Sequence, residues 1–206
     1  LDAQSGAERW KAMTGGEVLA APTVASGLVV IRTVDGRLRG LRAADGVEAW
    51  SYEQPVPRLT LRGNGPPVVD GDMVFAGLDN GKVVALALTT GDLLWNTTVA
   101  PGHGRTEIER LVDIDSPVRV LGDDVFVVGF QGRVAMLARD TGQLWWGRDL
   151  SSNRGLVVEG DTIYVTTSDS TVMALRRRDG TPVWSQDAML RRGLTAPALS
   201  GDTLVV

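Results

Sequence analysis

Five of the six tryptophans stand four residues after a glycine: Gly6/Trp10, Gly46/Trp50, Gly91/Trp95, Gly142/Trp146 and Gly180/Trp184. Leucine lies five residues before each of those glycines, at Leu1, Leu41, Leu86, Leu137 and Leu175. A turn residue lies five before the last four leucines, at Gly36, Gly81, Gly132 and Ser170. The register turn-x4-Leu-x4-Gly-x3-Trp never slips inside a unit. Such a repeat restricts the chain to architectures that stack one supersecondary unit on the next.

Each unit reads as four short antiparallel strands. A Pro-x-Val strand comes first, as in Pro22-Thr23-Val24 and Pro67-Val68-Val69. A Val-rich strand follows (Leu28-Val29-Val30-Ile31, Val125-Phe126-Val127-Val128), then a Val-x-x-Leu strand and the Trp strand. Turn pairs such as Asp35-Gly36, Asp45-Gly46, Asn80-Gly81 and Asp179-Gly180 separate them, residues that accept the positive φ of tight hairpins. No segment has the length and 3.6 period of a substantial helix. The fold predicted is all-β: a β-propeller of four-stranded antiparallel blades. Complete blades fall at about 20–54, 62–100, 113–150 and 154–188, with partial units at 1–13 and 194–206. The first partial unit reads as the end of a third strand plus a Trp strand, and the last stops inside a second strand. A piece of a larger propeller is expected; a split fifth blade would lack most of its third strand. The repeated tryptophans read as glue between blades, each positioned by its glycine turn. Trp145, next to Trp146, should face the other way.

Composition closes several functional classes. Of 206 residues, 43% are hydrophobic and 22% charged, which suits a folded core and not a disordered chain. Cysteine is absent, so there is no disulfide framework, zinc–thiolate cluster or thiol nucleophile. One histidine, His103, leaves no His-rich metal site, and its place between Gly102 and Gly104 reads as an exposed loop. A net charge of −4 opposes non-specific nucleic-acid binding. No apolar run approaches the roughly 18 residues of a membrane span, and Leu1-Asp2-Ala3-Gln4 does not open like a signal peptide. Arginine dominates over the two lysines, Lys11 and Lys82, which reads as compositional bias.

The Trp-to-Trp spacings of 40, 45, 51 and 38 locate two insertions, both between a Trp strand and the next Pro-x-Val strand. Links of that type emerge on one face, and these two belong to successive blades, so they should lie side by side. Function tends to sit in such elaborations. The first carries Leu59 and Leu61 at period two, followed by Arg62 and Gly63: an anchor for a protein contact, or leucines tucked under a blade. The second carries Thr106-x-x-Glu109, a capping-box pattern for one helical turn ending near Leu111, then Asp113 and Asp115 at period two. Those carboxylates read as a catalytic pair, calcium ligands or acceptors for a basic partner. A catalytic pair needs a pocket that separates two pKa values, and calcium wants more oxygen ligands and a closing Glu; neither is visible. Acceptors for a partner's cation, or simple loop caps, remain. Arg176-Arg177-Arg178 reads as a solvated edge, Arg191-Arg192 as an addition to the insertion face, and Asn96-Thr97-Thr98 as an accidental sequon.

The blade unit Ala-Leu-x4-Gly-x3-Trp, at Ala85-Leu86 to Trp95 and Ala174-Leu175 to Trp184, resembles that of the pyrroloquinoline-quinone (PQQ) type propellers. That group includes calcium-dependent quinoprotein dehydrogenases, which use an adjacent cysteine pair; this chain has none. Leu59-Thr60-Leu61-Arg62-Gly63, with Thr106-Glu107-Ile108-Glu109-Arg110-Leu111 and Asp113-Ile114-Asp115-Ser116-Pro117, resembles the loops of the BamB family of the outer-membrane β-barrel assembly machinery. The resemblance implies an eight-bladed, non-enzymatic lipoprotein without cofactor or metal, on the periplasmic face of the bacterial outer membrane. It implies docking on the POTRA domains of BamA through Leu59, Leu61, Arg62, Asp113 and Asp115, with nascent outer-membrane proteins as further candidate partners. The family's lipidated cysteine is missing from these residues. The alternative implied by the wider group is a fragment of a PQQ/calcium-dependent dehydrogenase.

Overall fold

The computed structural model describes residues 1–55, 65–102, 106 and 112–206. Eighteen strands and no helix occur among them, in four four-stranded antiparallel sheets and one two-stranded sheet. Blade one comprises β1 (Thr23–Ala25), β2 (Leu28–Arg32), β3 (Arg37–Arg42) and β4 (Glu48–Glu53). Blade two comprises β5 (Val68–Asp70), β6 (Met73–Gly77), β7 (Lys82–Ala87) and β8 (Leu93–Thr98). Blade three comprises β9 (Arg119–Leu121), β10 (Asp124–Val128), β11 (Arg133–Ala138) and β12 (Leu144–Asp149). Blade four comprises β13 (Leu156–Glu159), β14 (Thr162–Thr166), β15 (Val172–Arg176) and β16 (Pro182–Gln186), and the pair β17 (Ala198–Ser200) and β18 (Thr203–Val205) follows. Strand order within each sheet follows the chain, as the sequence pattern predicts.

The Val-rich second strands read as continuous apolar runs because both their faces are buried. In β6 every residue is buried: Met73 and Phe75 join the core toward blade three, Val74 and Ala76 the core toward blade one. In β10, Val125 and Val127 face blade two while Phe126 and Val128 face blade four. Each apolar cluster therefore lies between two sheets, and period-two alternation serves two cores at once.

The tryptophans close these cores from outside. Trp10, Trp50, Trp95 and Trp146 donate Nε1–H to the carbonyls of Ala43, Leu88, Arg139 and Arg177, at 2.8, 2.8, 2.8 and 3.0 Å. Each acceptor stands three residues before the next blade's turn glycine. A Cβ on Gly46, Gly91, Gly142 or Gly180 would lie within 2.6 Å of a ring carbon of the preceding blade's tryptophan. Each glycine thus does more than turn the chain toward its own tryptophan: it seats the indole of the blade before. Arg139 and Arg177 add a clamp where Ala43 and Leu88 contribute only a carbonyl. Arg139 donates to Asp70 Oδ2 (2.8 Å) and Asp70 O (3.0 Å), with its guanidinium 5.9 Å from the Phe75 ring centre. Arg177 reaches Asp124 Oδ2 (2.8 Å) and Leu121 O (3.1 Å) and lies 5.5 Å from the ring of Phe126. The reading of Arg176-Arg177-Arg178 as a solvated edge is therefore corrected at its middle residue, whose carbonyl and side chain both hold blade three.

Each third-to-fourth-strand ladder slips by one residue just before its tryptophan, leaving Ala49, Leu94, Trp145 and Val183 without a cross-strand partner. Trp145 is such a bulged residue and is 52% exposed; solvent takes it. Residues 1–13, expected to hold the end of a third strand and a Trp strand, form no strand. Trp10 still takes its seat on blade one.

The seat generates a prediction. Gly142 has φ +67°, and a Cβ there would sit 2.5 Å from Trp95 Cε3. Gly142→Ala should cost about 2–4 kcal/mol through strain and overpacking together. Gly147→Ala, where the nearest atom lies at 3.5 Å, should stay within about 0.5 kcal/mol. Urea unfolding followed by tryptophan fluorescence reads both.

Candidate functional site

The two insertions end against each other. A Cβ on Gly65 would lie 2.8 Å from the carbonyl oxygens of both Asp115 and Ser116. The close of the first insertion thus packs backbone-to-backbone on the close of the second, as one-face emergence requires. Leu59, Leu61, Arg62 and His103 lie outside the described residues, as does all of the capping-box segment except Thr106.

Residues 112–116 form a wedge between blades two and three. Ile114 N–H donates to Leu78 O (3.2 Å), just past β6, and Phe130 N–H donates to Asp113 O (2.8 Å), just past β10. Asp113 and Phe130 make an antiparallel bridge. The Ile114 side chain fills the core between the two blades. Gly77 makes the room, since a Cβ there would meet Ile114 Cγ2 at 2.3 Å. Ser116 then donates its hydroxyl to Val128 O at 2.9 Å, the carbonyl that ends β10. The next junction repeats this: Ser152 donates to Thr166 O, which ends β14, at 2.6 Å. Blade two differs. Gly65 stands six residues before the turn Gly71, where Ser116 stands before Gly122, and it has no hydroxyl. The matching carbonyl, Gly77 O, instead accepts from Arg32 Nη1 at 2.7 Å.

Arg32 ends β2 and is only 1% exposed. Its Nη2 donates to Asp79 Oδ1 in a buried ion pair that crosses from blade one to blade two. A buried cation is tolerated only when paired in this way. Around this pair the carboxylates crowd. Asp113 is 1% exposed and Asp115 is half-buried, with its Oδ1 shielded and unbonded among the described residues. Burial pushes the Asp115 carboxyl up to about 7; the charges of Asp113 and Asp79 add to the rise, and Arg32 opposes it. Burial also raises Asp79, with Arg32 opposing. Asp113 is stitched into the blade junction through its backbone, and only Asp115 keeps part of its surface open.

The cavity beside the Arg32–Asp79 pair, lined also by Gly36, Gln54, Pro55, Leu78 and Asn80, holds about 10 Å³. That is room for about one water molecule and not for a substrate. Among the described residues no three His, Cys, Asp or Glu side chains are placed so that they could hold a metal ion. The arrangement is suited to present a segment of backbone and one carboxylate rigidly at a surface. Arg191 and Arg192 stand exposed at the corresponding link after blade four, where Arg191 N–H donates to Asp169 O at 2.8 Å.

A family model described as outer membrane protein assembly factor BamB matches residues 1–186. The chain belongs to the BamB family. It is similar to the BamB of Nitrosomonas eutropha, at 41% identity over 156 residues, covering 76% of this chain and 38% of that protein. It is similar to the BamB of Bordetella pertussis at 34% identity over 203 residues, covering 98% of this chain and 53% of that one. The crystal structure of BamB from Moraxella catarrhalis superposes with a TM-score of 0.94 at 30% identity, over 99% of this chain and 62% of that chain. The chain thus spans between about a third and two thirds of the length of these BamB proteins. A quinohemoprotein alcohol dehydrogenase from Pseudomonas putida HK5 aligns at a TM-score of 0.64 with 15% identity, a likeness of fold alone.

Within this BamB-family chain, sequence reasoning overlooked Arg32, Gly77, Asp79 and Ile114. A signal was present: the residue four before each inner turn is Arg32, Gly77, Val128 and Thr166, and an arginine there breaks an apolar or small series.

The raised Asp115 carboxyl predicts a pH signature. Its folded value of about 7 exceeds the ordinary aspartate value of 3.8, so the folded state holds the extra proton between those limits. Stability from this group is fully present below about pH 4 and is lost as pH rises toward about 7. Asp115→Asn should match the wild type at or below about pH 4 and surpass it at pH 8, read as the difference in urea midpoints. An Asn variant weaker at pH 8 would instead assign the carboxylate a stabilising cation.

Proposed function

We propose that this chain is the docking part of an outer-membrane protein assembly factor, a scaffold with no catalytic step of its own. Its partner is the POTRA region of BamA at the periplasmic face of the bacterial outer membrane, where a lipid anchor on the full protein would hold it. The reading rests on family membership. The observation that carries the site is the Gly65 contact with the Asp115 and Ser116 carbonyls, which gathers the ends of both insertions on a single face.

Leu59 and Leu61 would fill an apolar pocket on the partner, and Arg62 would pair with a carboxylate, bidentate where geometry allows. Asp115, with part of its surface open, would accept from a partner donor. Asp113 is buried, and its part would be to hold that segment in place. Nascent outer-membrane proteins are a further candidate partner of the assembled complex.

Purified BamA POTRA domains provide the test. Leu61→Ala/Arg62→Ala should lose about 2 kcal/mol or more of binding, roughly thirtyfold in Kd, with circular dichroism unchanged. A folded double variant that binds like the wild type would remove these residues from the interface. A wild type that does not bind would remove the partner.

A further inference from the structure

We propose that Arg32, on blade one, is a positioning residue for the docking segment carried between blades two and three. The inference rests on the docking reading above and extends it to a side chain at the neighbouring blade junction.

The connection is direct in the structure. Arg32 has two acceptors, Gly77 O and the Asp79 carboxylate. They flank Leu78, and Leu78 O is the acceptor for Ile114 N–H. The guanidinium therefore fixes, from both sides, the residue on which the wedge hangs. Gly77 also meets the Ile114 side chain, so Arg32 holds the floor under the wedge as well as its hook. At the other two junctions a serine in the link itself serves the matching carbonyl. Those links are tied to the blade they lead into. At blade two the tie comes from blade one, because Gly65 must stay bare to let the Asp115 and Ser116 carbonyls approach. Glycine at 65 and arginine at 32 are two halves of one solution: the insertions can close on each other only if another donor takes Gly77 O.

A neutral side chain of similar length would fill the space. It would, however, leave Gly77 O and the buried Asp79 carboxylate, both held by Arg32, without that donor.

Selective carbon-13 labelling of aspartate carboxyls in the full chain tests this, together with amide exchange and POTRA affinity. In Arg32→Met the Asp115 midpoint should move up, and in Asp79→Asn it should move down. Loss of packing alone would not give opposite signs. The Ile114 amide should exchange at least tenfold faster in Arg32→Met, while the strand-centre amides of Val83 to Ala85 keep their rates. POTRA affinity should fall at least tenfold. Should Arg32→Met not fold, Asp79→Asn, which keeps an oxygen acceptor for Arg32, carries the titration and exchange arms. An Asp115 midpoint and an Ile114 exchange rate that both stay at wild-type values overturn the proposal, whatever POTRA does. Shifted midpoints with no POTRA binding even by the wild type would support Arg32's hold on the segment and sink the docking role.

Discussion

The indole of one blade resting on the bare glycine of the next is the contact on which everything else depends. A four-stranded sheet with both faces apolar cannot exist alone in water; it must be covered on each side. The tryptophan supplies a large apolar body that shuts the gap between sheets at its outer end, and its single N–H would be costly to bury unpaired. The carbonyl three residues before the glycine answers that donor at 2.8 to 3.0 Å. Apolar closure and polar satisfaction are thus met by one side chain. The glycine is required twice over, by its positive φ and by the ring lying where a Cβ would be.

Because this contact recurs at four successive seats, for Trp10, Trp50, Trp95 and Trp146, the outer rim is closed there without help from the links that join the blades. Those links are then free to lengthen. The chain uses the freedom twice in succession, and the closing residues of both insertions return to the inner ends of β6 and β10. There the polar demands change character. At the rim one tryptophan meets one carbonyl; at the inner end the bonds come from serine hydroxyls, stitched backbone and a buried arginine. The close of the second insertion is therefore rooted in the backbone of two blades, and Arg32 of blade one bears on the charge of its Asp115.

The fold was legible because the repeat is a matter of spacing, and spacing survives whatever fills the positions between. Strand order, the role of the tryptophans and the approach of the two insertions all follow from register. What escaped was chemistry that register does not express. Arg177 lies in a run of three arginines that looks like surface, yet it shares with Arg139 a place three before the turn glycine, and both turn inward over a phenylalanine. Asp113 and Asp115 stand two residues apart in the sequence, but the depth of their segment is decided by Gly77 and Gly129, which leave room for it. Arg32 sits at the end of a Val-rich strand with no local sign that its acceptors lie in another sheet.

Every blade ends outward on a strand whose ladder slips one residue before its tryptophan. A foreign strand laid along that rim would find donors and acceptors in step for only part of its length, and then out of step. Short, kinked edges are poor templates for growth. The rim of these blades is thereby insulated: such a body can stand among unpaired strands without being drawn into their sheets.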